Sequence, residues 1–469
     1  MKKYILKTFA VAAALMLSGN TWAIDQDGDG NYIIATAQDL VDFANLYNDQ
    51  PNNGKIPGAS AIFTADIDMA GVAFPGIGND SHENRRFHGT LDGQGHKISN
   101  LVMEGDCVAL IRVASDNAVI KNLVIDSSCE FKGTGRNAAF ISASNWPEWG
   151  SNTIRFENCG NEANVTAKGN NAGGMIGVNM NGSASFIFND CYNTGAIKGG
   201  ESGALSGWSG GGWSVFNSCW NAGLAGEGGD DFTRNNGTQL RNCYSVEGTT
   251  NATQAAMVAE GTLASGELAY KLGAAWRQTI GEDATPVLDA THGIVGLITA
   301  AGYATQYIAS ADVEITTGVK AYTATVENET LVLNELSDAI AAQEAVIVQG
   351  AEGYYSFVPT TGAEKAQKNG LVGVEADTEA IEGTYVLQSQ NEKVGFYQVG
   401  EVKPTVKAGH AYLATESEVK AFLLEDAVTA ISKLASEGQK AQIFDINGRQ
   451  TGKLQKGINI VNGVKVLVK

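Results

Sequence analysis

Phe156-Glu-Asn-Cys159, Phe188-Asn-Asp-Cys191, Phe216-Asn-Ser-Cys219 and Leu240-Arg-Asn-Cys243 repeat one short pattern, and Ile98-Ser-Asn-Leu101 and Ile120-Lys-Asn-Leu123 share it with Leu in place of Cys. The six segments recur at 22, 36, 32, 28 and 24 residues. Recurrence at this spacing is the mark of a solenoid, where each unit buries its apolar face only by stacking on the next. The first residue is apolar and is expected to point inward. The third would share that face in a straight strand, yet it is Asn, Asp or Ser, and the apolar fourth would then face outward. All three assignments hold together if the chain bends at the third position. Asn and Asp tolerate left-handed backbone, and Asn, Asp and Ser side chains bond nearby backbone groups.

The same alignment sets an expectation for the cysteines. Cys159, Cys191, Cys219 and Cys243 fill a slot that Leu101 and Leu123 fill elsewhere. A slot that accepts Leu is a packing slot, so the four are expected as a ladder of buried thiols. Cys107 and Cys129 each lie six residues past their segment's Leu. They are expected as neighbours on adjacent coils, with a disulfide between them left open. The chain has no paired short Cys or His spacing of the kind zinc requires.

Working outward, Thr36-Ala-Gln-Asp39 reads as a helix cap, and Leu40, Val41, Phe43, Ala44 and Tyr47 follow at helical spacing. This predicts a helix over roughly 37–48 that covers the first coil. A second helix is expected from Ser265, carrying Leu268, Ala269, Leu272 and Ala275. With the loops to Asp289 it reads as the closing cap, so the solenoid and its caps span 24–295. Alternating segments at 345–349, 354–358, 384–387 and 411–414 predict an antiparallel β-sandwich-like domain over 299–425. Residues 428–469 read as a hairpin module. There Asn462-Gly463 joins Ile458–Val461 to Val464–Val468, and Asn-Gly supplies the backbone angles of a two-residue turn.

Lys2, Lys3 and Lys7, the apolar run Thr8–Leu17 and Thr21-Trp-Ala23 form a signal peptide over 1–23. Its removal leaves 29 basic against 51 acidic residues, a net of −22. A phosphate backbone repels such a surface, so nucleic acid is not an expected partner. No later stretch reads as a transmembrane span. The mature chain is expected to be exported, either free or held at the cell surface or outer membrane.

Phe87-His-Gly-Thr-Leu-Asp-Gly-Gln-Gly-His-Lys-Ile-Ser-Asn-Leu101, with Asp66-Ile-Asp-Met69 before it, resembles the opening coil of bacterial right-handed β-helix surface proteins. Gly173-Gly-Met-Ile-Gly177 and Asn189-Asp-Cys-Tyr-Asn-Thr-Gly-Ala-Ile-Lys-Gly199 resemble the GLUG-type repeat of adhesin-like exported proteins. That repeat is also an accessory region of IgA-cleaving peptidases. Residues 265–289 are similar to the closing cap of Bacteroidetes-type helices. Ile443-Phe-Asp-Ile-Asn-Gly-Arg449 and Lys456-Gly-Ile-Asn-Ile-Val-Asn-Gly463 are similar to a type IX C-terminal sorting signal, in a shorter form. The resemblance implies a pectin lyase-like right-handed parallel β-helix, an exported address and an adhesin-like role.

Chemistry is sparse. His82-Glu-Asn-Arg-Arg86 has Arg where a zinc-protease helix needs its second His. Asp25-Gln-Asp-Gly-Asp-Gly30 begins like a calcium loop, but Thr36 stands where a bidentate Glu is required. It reads as a flexible acidic N-terminus. Leu91-Asp-Gly-Gln-Gly95 resembles a turn of polygalacturonases, without that family's Asn-Thr-Asp and Gly-His-Gly motifs. Asp230-Asp231 is the adjacent Asp pair, and it reads as a solvated turn. His88 and His96 are expected in local turn bonds. Trp146 and Trp149 fall in the longest insertion, and Trp208 and Trp213 flank Ser-Gly-Gly-Gly. Exposed tryptophans stack on sugar rings or anchor partners, while the plainer alternative is that they cover the solenoid's own side. Trp220 matches Tyr192 and Tyr244 and belongs to the stack. No catalytic set, cofactor motif or metal site emerges. The expectation is an all-β, non-enzymatic binding protein for a glycan or host protein. A carbohydrate-active enzyme, as polysaccharide lyase or glycosidase, and a structural coat component are the alternatives.

Overall fold

A computed structural model of the chain describes residues 24–51, 59–79, 81, 83–115, 117–144, 153–169, 171–179, 185–200, 202–209, 213–226, 229–234, 238–249 and 254–429, with strand backbone at 443–445, 450–451, 457–461 and 464–468. It is mostly strand, and it divides into two compact units, Met1–Glu260 and Gly261–Lys469.

In the N-terminal unit every named sheet is parallel. One has 14 strands, two have four and one has three. Successive repeats visit the sheets in the same order. The strand Thr153–Asn161, for example, is followed by Asn164–Ala167, Ala172–Gly173 and Ile176–Asn179, each on a different sheet. Equivalent residues then stand in register. Leu91, Ile120, Phe156, Phe188, Phe216 and Leu240 pair in sequence across neighbouring strands. The first five are fully buried in the core, and the half-buried Leu240 packs against it. Phe156, Phe188 and Phe216 stack nearly flat, with centroids 5.0 and 4.4 Å apart and planes 7° apart.

The expected bend is present at all six third positions. Asn100, Asn122, Asn158, Asp190, Ser218 and Asn242 have φ between 51° and 55°. That left-handed step turns the fourth residue inward, and Leu101, Leu123, Cys159, Cys191, Cys219 and Cys243 are all buried. All six cysteines are free thiols, Cys107 and Cys129 included. Each ladder thiol also donates to a backbone carbonyl at the bend, as Cys219 Sγ does to Asn217 O at 3.3 Å. Leu cannot make that bond. Burial pushes the Cys191 thiol well above its ordinary range.

Register corrects one alignment. Ile98 pairs with Ile67 and Ile125, not with Ile120, and Leu101 N lies 3.3 Å from Cys129 Sγ. Leu101 therefore belongs to a second corner of the repeat, opposite Cys129, and not to the ladder of Leu123 and the four later cysteines. Ile120 sits over Leu91, 29 residues earlier, so 22 residues is not the length of that repeat. Cys107 lies against Gly135 and not beside Cys129, which explains why the two thiols remain apart.

Polar ladders accompany the apolar one. Asn161, Asn193 and Asn221 are fully buried, and their amides bond one to the next at 2.7 and 2.9 Å. Each amide also donates to the carbonyl two residues on. Asn161 and Asn193 each place both amide hydrogens only because the next level repeats the amide. Tyr192 and Trp220 stack at 5.3 Å beside this ladder, and Trp220 is fully buried, as expected of a stack member.

Helix α1 (Ala37–Asn48) forms where the capping box predicts, with Thr36 and Asp39 bonding reciprocally. Its Leu40, Phe43, Ala44 and Tyr47 join the core with Phe63, Phe87 and Leu91. Tyr47 Oη donates to Ala59 O at 2.6 Å. Residues 25–33 form a closed turn, with Gln26 paired to Tyr32 and Ile33 N bonded to Asp25 O. The expected flexible N-terminus is thus locally ordered.

The C-terminal unit is antiparallel except where Val428–Thr429 runs parallel to Thr330–Leu336. One five-stranded sheet contains Tyr303–Ile308, Lys320–Glu327, Thr330–Leu336 and Glu344–Gln349. A second contains Leu371–Gly373, Tyr385–Gln390, Lys393–Gln398, Ala411–Leu413 and Ala421–Leu423. Tyr322, Leu331 and Ile347 of the first share one core with Tyr385, Phe396 and Phe422 of the second. Helix α2 (Glu267–Leu272) groups with this unit, whereas the sequence placed it with the solenoid. Ala275 lies beyond its end and is exposed. The strand Gly457–Val461 pairs antiparallel with Val464–Val468 across the two residues 462–463, as the hairpin signal predicted.

Candidate functional site

Three connections of unequal length leave and rejoin the N-terminal unit at one corner. Ser144, Asn179 and Ser209 end neighbouring strands of a four-stranded sheet in register. The next strands on the 14-stranded sheet are also aligned, with Thr153 opposite Ser185 and Phe186 opposite Ser214. The connections 145–152, 180–184 and 210–213 therefore begin and end one above another, about 4.8 Å apart per level. They contain eight, five and four residues, although the strands they join keep strict register. Among these three levels the connection at this corner shortens from eight residues to four.

Two of the four expected ligand-binding tryptophans can be placed. Trp213 is 47% exposed at the end of its connection, and its carbonyl accepts from Phe186 N at 3.1 Å. Trp208 is half-buried and pairs in register with the fully buried Val178, so it belongs partly to the wall. Trp146 and Trp149 lie outside the described residues. Their connection leaves and rejoins the fold at the same corner as Trp213.

The carboxylates are otherwise engaged. Asp231 is fully buried, which corrects the reading of a solvated turn. Its Oδ1 accepts from Gln254 N at 2.8 Å and its Oδ2 from Ala255 N at 3.1 Å. It anchors the last repeat. Burial, followed by the charge of Asp231, raises the pKa of Asp230. Asp27 spends its carboxylate within its own turn, on Asp29 N, Asn31 N and Asn31 Nδ2 at 2.9 Å each. Among the described residues no three His, Cys, Asp or Glu side chains converge as metal ligands. His88 Nδ1 bonds Arg86 O at 2.7 Å, and His96 Nδ1 bonds Asp66 Oδ1 at 3.0 Å. His82 lies outside the described residues, and Glu83–Arg85 is a single 3₁₀ turn.

A second concave place, in the C-terminal unit, was not visible in the sequence. A cleft of about 500 Å³ is lined by Tyr270, Arg277, Gln306, Tyr307, Glu375 and His410. These residues span 270–410 and meet because three strand ends are tied together there. Tyr307 N bonds Gly409 O at 2.7 Å, Gly409 N bonds Val374 O at 2.8 Å, and Val374 N bonds His410 O at 2.9 Å. The Tyr307 ring lies flat over Gly373, where a Cβ would fall 2.0 Å from a ring carbon. His410 Nδ1 donates to Thr305 O at 2.8 Å, which leaves Nε2 as the acceptor. Burial lowers the pKa of His410.

No helix of the described residues is long and apolar enough to cross a membrane. Neither a family model nor a curated protein matches the chain. Among solved structures it is similar to one described as a "putative immunoglobulin A1 protease from Bacteroides ovatus", at 15% identity and a TM-score of 0.41, over 56% of this chain and 94% of that one.

Proposed function

We propose that the N-terminal unit is a right-handed β-helix of an exported, cell-surface protein that binds a glycan or host protein through its variable corner. On this reading residues 1–23 are removed as a signal peptide, the GLUG-like repeats build the stalk, and the C-terminal hairpin serves sorting. One observation carries the binding assignment. Connections of unequal length start and finish in register at one corner, and they hold Trp146, Trp149 and Trp213. A rigid ladder that presents aromatic side chains on loops is the usual division between scaffold and recognition. An enzymatic reading finds less support, because both oxygens of Asp231 are occupied by backbone amides.

Glycan arrays and pulldowns from host surfaces test this reading directly. The expected result is a ligand whose affinity falls about tenfold or more when Trp146, Trp149 and Trp213 are changed together to Ala. Trp213 is 47% exposed, so changing it alone should leave the melting of the protein unchanged. Binding that survives the triple change would remove the corner as the site. An absence of any ligand would remove the binding role.

A further inference from the structure

The cleft beside His410 belongs to the other unit and stands independently of the reading above. Its chemistry is set by Arg277. The guanidinium is partly buried, and Nη1 is held by Ala274 O and Trp276 O. Nε is buried with no protein partner. No carboxylate among the described residues lies within ion-pair distance of it, and burial alone lowers its pKa. Glu375 also lines the cleft, but it makes no ion pair with Arg277, so the guanidinium still has N–H groups to offer an anion from outside. The remaining walls are specific. Tyr307 is fixed over Gly373 and lines the cleft, Tyr270 lines it from helix α2, and His410 contributes an imidazole that burial keeps neutral. A planar cation, aromatic walls and a neutral acceptor match a ring that carries one carboxylate and several hydroxyls. The volume suits a ligand of one or two sugar units.

We propose that this cleft binds a carboxylated sugar, a hexuronate unit either free or ending a glycan. The carboxylate would take the Arg277 N–H groups on the cleft side, the sugar ring would lie on Tyr307, and a hydroxyl would donate to His410 Nε2. Titration calorimetry of the full chain with glucuronate, glucose and glutarate, paired with hydrogen exchange, tests it. Glucuronate should bind about tenfold or more tightly than glucose or glutarate and slow exchange over 270–277 and 406–410. A glucuronate-ended disaccharide that does the same supports the glycan-end source. Arg277→Gln should abolish the preference for glucuronate over glucose, and Tyr307→Leu, which leaves the cation in place, should weaken glucuronate about tenfold. The exchange footprint on the unmodified chain keeps the test decisive if either variant folds poorly. No glucuronate binding at millimolar concentration overturns the proposal. So does equal binding of glutarate or of a peptide carboxylate, or protection confined to the N-terminal unit.

Discussion

The two units bury apolar surface by opposite strategies. In the N-terminal unit the ladder positions pack on their own equivalents, Phe on Phe and Asn on Asn, one level away. In the C-terminal unit no position repeats, and Tyr322, Phe396 and Phe422 meet across two sheets from distant parts of the chain. Stacked units couple only to nearest neighbours, whereas two sheets that share a core succeed or fail together. The difference teaches where a polar residue can be buried. An amide ladder is self-satisfying because its partner is another copy of itself. In the antiparallel unit Tyr385 Oη must instead find Ser417 O and Val419 O individually.

The sharpest way to break this comparison is to remove a ring from each core. Phe188→Ala takes out the middle of the stack, and Phe396→Ala removes a fully buried ring of the other unit. Each should cost about 3–5 kcal/mol. Calorimetry should show two transitions, with only the mutated unit's transition moving. If both transitions shift together, the units are not independent.

A smaller effect is expected at the amide ladder. Asn193→Ala leaves Asn161 Nδ2 one acceptor short and removes one of the two donors to Asn221 Oδ1, the other being Gly223 N. The cost should be about 2–3 kcal/mol, seen in the denaturation midpoint of the N-terminal unit. A neutral outcome would mean that water replaces the amide, and the ladder would lose its structural role.

The smallest effect concerns pH. Burial depresses the folded pKa of His410 below its ordinary value of 6.5. A group that is harder to protonate when folded adds stability above the unfolded value and loses it as pH falls toward the folded one. The C-terminal transition should therefore drop as pH falls below about 6.5 toward the lower folded value. His410→Gln should flatten that dependence. The N-terminal transition should show none of it, and an identical slope in both units would refute the assignment.

Much of the N-terminal unit was legible from the pattern alone. The bend at Asn158 and its equivalents, the inward cysteines and the span of helix α1 all follow from side-chain type and spacing. Register was not legible. Ile98-Ser-Asn-Leu101 satisfies the same pattern as Ile120-Lys-Asn-Leu123 because two corners of the repeat pose the same steric problem, and a sequence does not say which corner a segment occupies. Asn193 reads as a surface residue until its neighbours above and below are known. Asp231 was misjudged for a related reason, since the amides of Gln254 and Ala255 that hold it lie a full repeat later. The cleft was invisible, because Arg277, Tyr307 and His410 are brought together only by antiparallel pairing across more than a hundred residues.

The unequal connections at one corner carry a consequence for how such a chain changes over generations. Eight residues at one level, five at the next and four at the third leave the registered strands on either side undisturbed. Insertions and deletions there are invisible to the interior. A lineage under pressure to alter what it presents could rewrite this edge level by level, while the residues that keep it folded remain under a separate and much stricter selection.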